Sequence, residues 1–260
     1  MLLLDGAEPT EKPNFKRIVE EMAKMGYSLK INTNGMNVDK TMAESFTKSK
    51  MNEVRISLDG STEKINDFIR GEGSYKKIIE GIKRCVEQNL QVSVAITFGK
   101  HNIDDIGNII DLSYNLGVGA IHCYPLVTKG RGSHLEKYIP DENDMKKVKH
   151  IFKEKRNKYE CLDMDYVNKL PCMDGTSYLE LSRNGDIFFH ENSKDPFGKG
   201  ITKLGKIFDE NIKEKIKEKE LTAKTVECDK CIYYKTLMCA DLDTYCFDDI
   251  KFKRRNKSEQ

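Results

Sequence analysis

No apolar run in the 260 residues approaches the roughly 20 that a membrane span needs. The opening Met1-Leu2-Leu3-Leu4 is too short for a secretory signal and is followed at once by Asp5. The chain is therefore expected in the cytoplasm, with no membrane partner. An excess of one charge is also lacking. Lys and Arg number 44 against 42 Asp and Glu, a net charge of +2, so no nucleic-acid partner is expected. Only residues 251–257 are locally basic, which reads as a solvated tail. There is no internal repeat, and low complexity is confined to the Lys/Glu-rich stretch 213–220. In a reducing compartment, the eight cysteines read as thiols or metal ligands rather than disulfides.

What is present is an alternation of short β-branched runs and helical periods. The β-runs are 1–5, 28–33, 53–58, 91–98 and 120–127, each bounded by Gly, Asn or Asp. Between them Phe15, Ile18, Val19, Met22 and Met25 recur at helical spacing, closed by Gly26. Ile78, Ile79, Ile82 and Val86 form a second stripe, and Ile103, Ile106, Ile109, Ile110 and Leu116 a third. This order predicts βαβ units on a parallel sheet. The first run begins at residue 1 with no lead-in, which would leave a bare sheet edge, so a preceding segment is expected.

Past Pro140 the character changes. Residues 141–158 read as a highly charged helix with Met145, Val148 and Phe152 on its apolar stripe. Beyond it lie six of the eight cysteines, a hairpin signal at Asn184-Gly185 and another charged helix near 205–219. The expected organisation is a domain at 1–158, a cysteine-rich domain at 159–250 and a tail at 251–260.

Three groups of residues carry chemistry. The first is Cys228-Asp229-Lys230-Cys231, then Cys239 and Cys246. Four thiols within nineteen residues, opening on a C-x2-C turn, suit zinc or an iron–sulfur cluster. The second is Cys172 with His190, which strands 178–181 and 186–189 would bring together; a lone His is as often a satisfied surface residue. The third is the set of polar strand ends: Gly6-Ala7-Glu8-Pro9, Asn32-Thr33-Asn34-Gly35 and Ser57-Leu58-Asp59-Gly60. Each is an ordinary turn sequence by itself. Together they converge on the carboxyl edge of the sheet, where α/β proteins bind ligands. Cys85 and Cys123 read as core residues and Cys161 as a plain thiol. His101, His122, His134 and His150 have no ligand spacing.

These motifs resemble the radical S-adenosylmethionine (SAM) superfamily, over roughly residues 3–246. Gly6-Ala7-Glu8-Pro9 is similar to its G-G-E-P motif, with Ala for the second Gly. The resemblance implies backbone contacts to the SAM amino group at Gly6 and Ala7, and a carboxylate at Glu8. Asn32 and Asn34 match the next strand end. Ser57 and Asp59 match the end that reaches the SAM ribose and carboxylate. Asp67 to Gly71 resembles an H-D-x-x-R-G segment with Asn66 in the His place, which would pair Arg70 with the SAM carboxylate. Thr97 and Asn102 match a T-x4-N pattern, and Tyr124-Pro125-Leu126 with Gly130-Arg131 resembles a P-x4-G-R element, which assigns Leu126 to the cofactor site.

The C-terminal part resembles the SPASM domain of that superfamily. Cys172-x12-Gly185-x4-His190 fits its first block with His for the second Cys, and the later block is C-x2-C-x7-C-x6-C with longer gaps. The implied metal ligands are Cys172, His190, Cys228, Cys231, Cys239 and Cys246, for one or two auxiliary clusters. The C-x3-C-x2-C triplet that holds the family's catalytic [4Fe–4S] cluster does not occur in these 260 residues. The implied fold is a partial (β/α)6 barrel of TIM type, lacking its first βα unit, with a small cysteine-rich α+β domain. The implied activity is reductive cleavage of SAM to a 5′-deoxyadenosyl radical, with a reducing electron donor, for modification of a peptide or protein. Two alternatives stand beside it: a non-catalytic remnant or split subunit that binds a peptide or partner, and a zinc-stabilised structural module.

Overall fold

The β-branched runs form a parallel sheet whose strands follow one another in chain order. The computed structural model describes residues 2–127, 135–166, 178–181, 185–190, 201–206 and 208–222, which fall into two units dividing after Asn168. In the first unit β1 (Leu2–Leu4), β2 (Leu29–Thr33), β3 (Glu53–Ser57), β4 (Val92–Phe98), β5 (Ala120–Pro125) and β6 (Asp163–Tyr166) are ordered 1-2-3-4-5-6, every pair parallel. Sequential parallel strands with intervening helices give the α/β class and the strand order of a (β/α) barrel.

The helices are α1 (Phe15–Lys24), α2 (Lys40–Lys48), α3 (Glu63–Arg70), α4 (Ser74–Glu87), α5 (Ile106–Asn115) and α6 (Glu142–Lys158). The stripes expected for α1, α4 and α5 bury Phe15, Val19, Ile78, Ile82, Ile106, Ile109 and Ile110 in one core with Leu29, Ile31, Val54, Ile56, Val94, Ile96 and Ile121. Ile18 and Met25 fall at the edge of the α1 stripe and are exposed. α2 and α3 lack a long apolar period and were not expected. α2 is fixed by its cap, where Asp39 Oδ1 accepts the Met42 N–H at 2.7 Å. α6 opens on a reciprocal capping box between Asp141 and Asp144.

Strand β6 lies beyond the boundary expected near residue 158. Asp163-Met164-Asp165 carries no β-branched signal, but its backbone pairs with β5, Ala120 opposite Asp163 and His122 opposite Asp165. The sheet supplies what local propensity does not.

Alternation along the strands separates two faces. One packs on the helices and is apolar apart from the buried Thr33 at the end of β2. The other carries Lys30 and Asn32 on β2, Glu53, Arg55 and Ser57 on β3, Ser93, Ala95 and Thr97 on β4, and His122 and Tyr124 on β5. Parallel sheets normally bury apolar side chains on both faces. The second face of this sheet departs from that pattern, with charged and polar groups along β2 to β5.

In the second unit β7 (Tyr178–Leu181), β8 (Asp186–His190) and β9 (Ile201–Lys206) form an antiparallel sheet, with α7 (Ile212–Thr222) beside β9. The expected hairpin at Gly185 is present, with φ +77° there. Residues 201–206 are a strand, and the helix expected near 205 begins only at Ile212. The turn between them is fixed by Asp209 Oδ2, which accepts the Lys206 N–H at 2.7 Å. Ile187, Phe189, Leu204 and Ile212 form this unit's own small core.

Candidate functional site

Because β1 to β6 are parallel, their carboxyl ends share one edge, and the polar strand-end motifs gather there. The loop after β1 is tied to the end of β2 by Glu8, which is buried. Its Oε1 accepts from the Thr10 N–H at 3.1 Å, the Thr10 hydroxyl at 2.6 Å and the Thr33 hydroxyl at 2.6 Å, and its Oε2 accepts the Asn34 N–H at 2.6 Å. Asn34 Oδ1 in turn accepts the Met36 N–H at 2.9 Å. The Glu8 carboxylate thus shapes two loops at once. Pro9 starts the short 3-10 turn Pro9–Glu11 that follows.

Gly6 and Ala7 are exposed beside it. Gly6 has φ +129°, a value that favours glycine, and a Cβ there would meet nothing within 4 Å. Asp5 braces the same turn, accepting from the Gly6 N–H at 2.8 Å and from Asn32 Nδ2 at 3.0 Å. Asn32 Oδ1 is buried with no hydrogen-bond partner among the described residues. An unpaired buried acceptor costs on the order of 1–3 kcal/mol. A ligand N–H or ammonium at this edge would satisfy it, so the residues fit the amino group of SAM.

The second cluster is built on β3 and β4. Asp59 is buried, with Oδ1 accepting the Thr97 N–H at 2.7 Å and Oδ2 2.8 Å from Arg70 Nε. The second contact is a charge pair, its N–H not aligned for a hydrogen bond. Asn102 Nδ2 donates to the Asp59 carbonyl at 2.9 Å and the Thr97 carbonyl at 3.0 Å, and its Oδ1 accepts the Gly99 N–H at 2.9 Å. Thr97, Asn102, Asp59 and Arg70 are therefore one assembly. Ser57 lies two residues before Asp59 on the polar face. Leu126 sits just past β5, buried, its N–H donated to the Phe98 carbonyl at 2.7 Å.

Two supports went unrecognised as such in the sequence. Asn66 is fully buried; its Oδ1 accepts the Asp59 N–H at 3.1 Å and its Nδ2 donates to Ser74 Oγ at 2.9 Å. Asp67 accepts from the Gly73 and Tyr75 N–H groups and the Ser74 hydroxyl, which locks α3 against α4 and so aims Arg70. Burial alone would raise the Asp67 carboxyl, but these donors and Asn66 outweigh it and hold it below the usual range. Next to them His101 packs against Phe68 and Tyr138, with ring centroids 6.0 and 5.7 Å away. Burial lowers its pKa, against the opposing pull of the Asp59 charge.

Among the metal residues expected from the sequence, Cys172, Cys228, Cys231, Cys239 and Cys246 lie outside the described residues. Residues 130 and 131 lie outside them too. His190 is described only as the last residue of β8, paired in register with Tyr178 and Ile201. No group of three or more His, Cys, Asp or Glu able to hold a metal occurs among the described residues. Cys85 and Cys123 are buried in the core, as expected, and Cys161 is exposed. No helix among the described residues is long and apolar enough to cross a membrane.

A parallel sheet with polar groups gathered at its carboxyl edge belongs to the barrel-like α/β class, in which ligands bind at that edge. Residues 2–113 match the sequence profile of the Radical SAM superfamily, and this region of the chain belongs to it. The chain is 32% identical over 136 residues to an Fe-coproporphyrin III synthase of Methanosarcina barkeri, covering 52% of this chain and 34% of that protein. It is 28% identical over 133 residues to the mycofactocin maturase MftC of Mycobacterium ulcerans, covering 50% and 35%. These matches span about a third of the relatives' length. Among solved structures, Streptococcus suis SuiB bound to S-adenosylmethionine aligns with a TM-score of 0.63 at 16% identity, over 81% of this chain and 52% of that one. Native anSMEcpe with bound AdoMet aligns with a TM-score of 0.64 at 17% identity, over 91% and 73%. At these identities the structural likeness speaks for the fold, which is that of a TIM-like radical SAM barrel.

Proposed function

We propose that this chain is the SAM-binding part of a SPASM-type radical SAM enzyme, cytoplasmic, that modifies a peptide or protein. The observation that carries this reading is the shared strand-end edge, where Asn32 Oδ1 lacks a partner and Asp59 anchors Arg70, Thr97 and Asn102. Gly6, Ala7 and Pro9 would offer backbone to the SAM amino group, with Asn32 accepting from it. Glu8 and Asn34 hold the two loops in place. Ser57 and Asp59 would serve the ribose, Arg70 the carboxylate, and Leu126 the base, while Thr97 and Asn102 fix the Asp59 loop. When bound, SAM and a reduced [4Fe–4S] cluster supply the radical chemistry, with an external electron donor. Cys172, His190, Cys228, Cys231, Cys239 and Cys246 would hold auxiliary clusters. The peptide substrate rests on relatives: the SuiB neighbour is known bound to its precursor peptide SuiA, and MftC is a maturase.

A second reading is a non-catalytic remnant or split subunit. It rests on Ala7 standing in the second glycine place. A zinc module is the third. Anaerobic reconstitution with iron and sulfide, followed by metal analysis and SAM calorimetry, separates them. The first reading expects SAM binding with iron and sulfide on the C-terminal cysteines, and needs the triplet supplied in cis or trans for SAM cleavage. Zinc alone, with no SAM binding, would sink it. A chain that binds SAM and iron, yet never cleaves SAM with a triplet-bearing segment present, supports the second.

A further inference from the structure

The polar face of the sheet holds a charged cluster deeper than the strand-end site, and the SAM reading leaves it unused. Glu53, at the start of β3, is buried. Its Oε1 accepts from Arg55 Nη2 at 2.8 Å, Arg55 Nε at 3.1 Å and Ser93 Oγ at 2.6 Å, and its Oε2 lies 3.0 Å from Lys30 Nζ. Arg55 Nη2 is also 3.2 Å from His122 Nε2, Nε is 3.4 Å from Ser93 Oγ, and Nη1 donates to the Tyr124 hydroxyl at a long 3.4 Å. The side chains of Lys30 and Arg55 are 29% and 23% exposed, so both reach the accessible part of this face.

Around Glu53 the cations outnumber the carboxylates among the described side chains. Arg70 has Asp59 to itself, and Asp5 is occupied by Gly6 and Asn32. Lys30 and Arg55 share the single carboxylate of Glu53. On β6, Asp163 and Asp165 are at the register positions beside Ala120 and His122, three strands and about 14 Å along the sheet from β3. Two cations thus share one carboxylate, and the half-buried guanidinium turns Nη1 away from it, held there by a single long hydrogen bond to Tyr124, a geometry that can take a second carboxylate.

We propose that Arg55 and Lys30 bind a carboxylate of the substrate, so that this enzyme selects a peptide presenting an acidic group to the sheet two residues below Ser57. The proposal rests on the SAM-enzyme reading for its peptide, and it adds the residue class recognised. The carboxylate would come from an acidic side chain or a free C-terminus.

The test is calorimetry on the full chain with three acetylated tripeptides. These are Gly-Glu-Gly amide, Gly-Gln-Gly amide, and Gly-Gln-Gly with a free C-terminus. The expected result is that one of the two acidic peptides binds about tenfold tighter than the neutral one, identifying the source. Arg55→Met and Lys30→Met each remove that preference, Arg55→Lys retains part of it, and SAM affinity is unchanged in all three. Lys30→Met guards against a misfolded Arg55 variant. Equal binding of acidic and neutral peptides, no peptide binding, or full preference in both Met variants would overturn the proposal. A cluster that only ties strands together would lower the thermal midpoint in the variants without altering any peptide preference. SAM binding without discrimination defeats this inference alone, whereas discrimination without SAM binding defeats the cofactor reading and leaves the acidic site standing.

Discussion

Asp59 Oδ2 lies 2.8 Å from Arg70 Nε while Oδ1 accepts the backbone N–H of Thr97 at 2.7 Å, so one buried carboxylate joins α3 to β4 across the site edge. Removing it leaves a mostly buried guanidinium and an amide without partners. Asp59→Ala is expected to cost about 3 kcal/mol in urea unfolding. Asp59→Asn keeps the Thr97 bond and loses the charge, and is expected to cost about half as much. Both should weaken SAM binding at least about tenfold, because Arg70 is no longer aimed. An Asp59→Ala chain with wild-type SAM affinity would remove this assembly from the cofactor site.

The strand-end motifs were legible in the sequence because Gly, Asn and Asp mark turns whatever the tertiary context. Gly6 to Pro9, Asn32 to Gly35 and Ser57 to Gly60 all lie where parallel order predicts. Asp5 and Asn66 acquire their roles only through partners 27 and 7 residues away, Asn32 and Asp59, and no local signal announces that. The polar face was written in the sequence as a period of two, in Lys30-Ile31-Asn32 and Glu53-Val54-Arg55-Ile56-Ser57. It is easily passed over because buried parallel strands usually read as continuous apolar runs. β6 was illegible because its pairing, not its composition, makes it a strand.

Glu8 offers a sharper test of loop shaping. Its two oxygens take two backbone N–H groups, Thr10 on Oε1 and Asn34 on Oε2. A glutamine has one acceptor oxygen, so in either amide orientation its NH2 faces one of those N–H donors. Glu8→Gln is therefore expected to lose about 2 kcal/mol, close to the cost of Glu8→Ala. Equilibrium unfolding of the two variants checks this. A Glu8→Gln chain as stable as the wild type would show that the carboxylate is not the tie between the loops.

Cysteine reactivity separates core thiols from accessible ones. Burial pushes the Cys85 thiol up to about 12, and the side chain is fully enclosed between α4 and the sheet. At about pH 8 the thiolate population there is on the order of one in 10⁴. Cys161 is exposed. Iodoacetamide on the native protein should label Cys161 within minutes and leave Cys85 untouched until denaturant is added, as read by peptide mass mapping. Rapid native labelling of Cys85 would mean that α4 opens from the sheet far more often than this packing allows.

Acid should act first through Glu53. Burial alone would raise its carboxyl, but His122, Arg55, Ser93 and Lys30 together hold it far below the ordinary value of 4.5. A carboxyl whose folded pKa is depressed stabilises the fold above its unfolded pKa, and that contribution fades as pH falls from there toward the folded value. Wild-type stability should therefore drop between about pH 5 and about pH 3 in part because the unfolded chain takes up a proton that the folded chain refuses. Glu53→Gln cannot titrate. It is expected to be less stable near neutrality, by about 3 kcal/mol with two cations left short of a carboxylate, and to show a shallower loss across the same window. Urea midpoints measured at several pH values for both chains give the difference directly. Parallel curves would mean that the Glu53 contacts do not persist in solution, and with them the arrangement that holds Arg55 on the polar face.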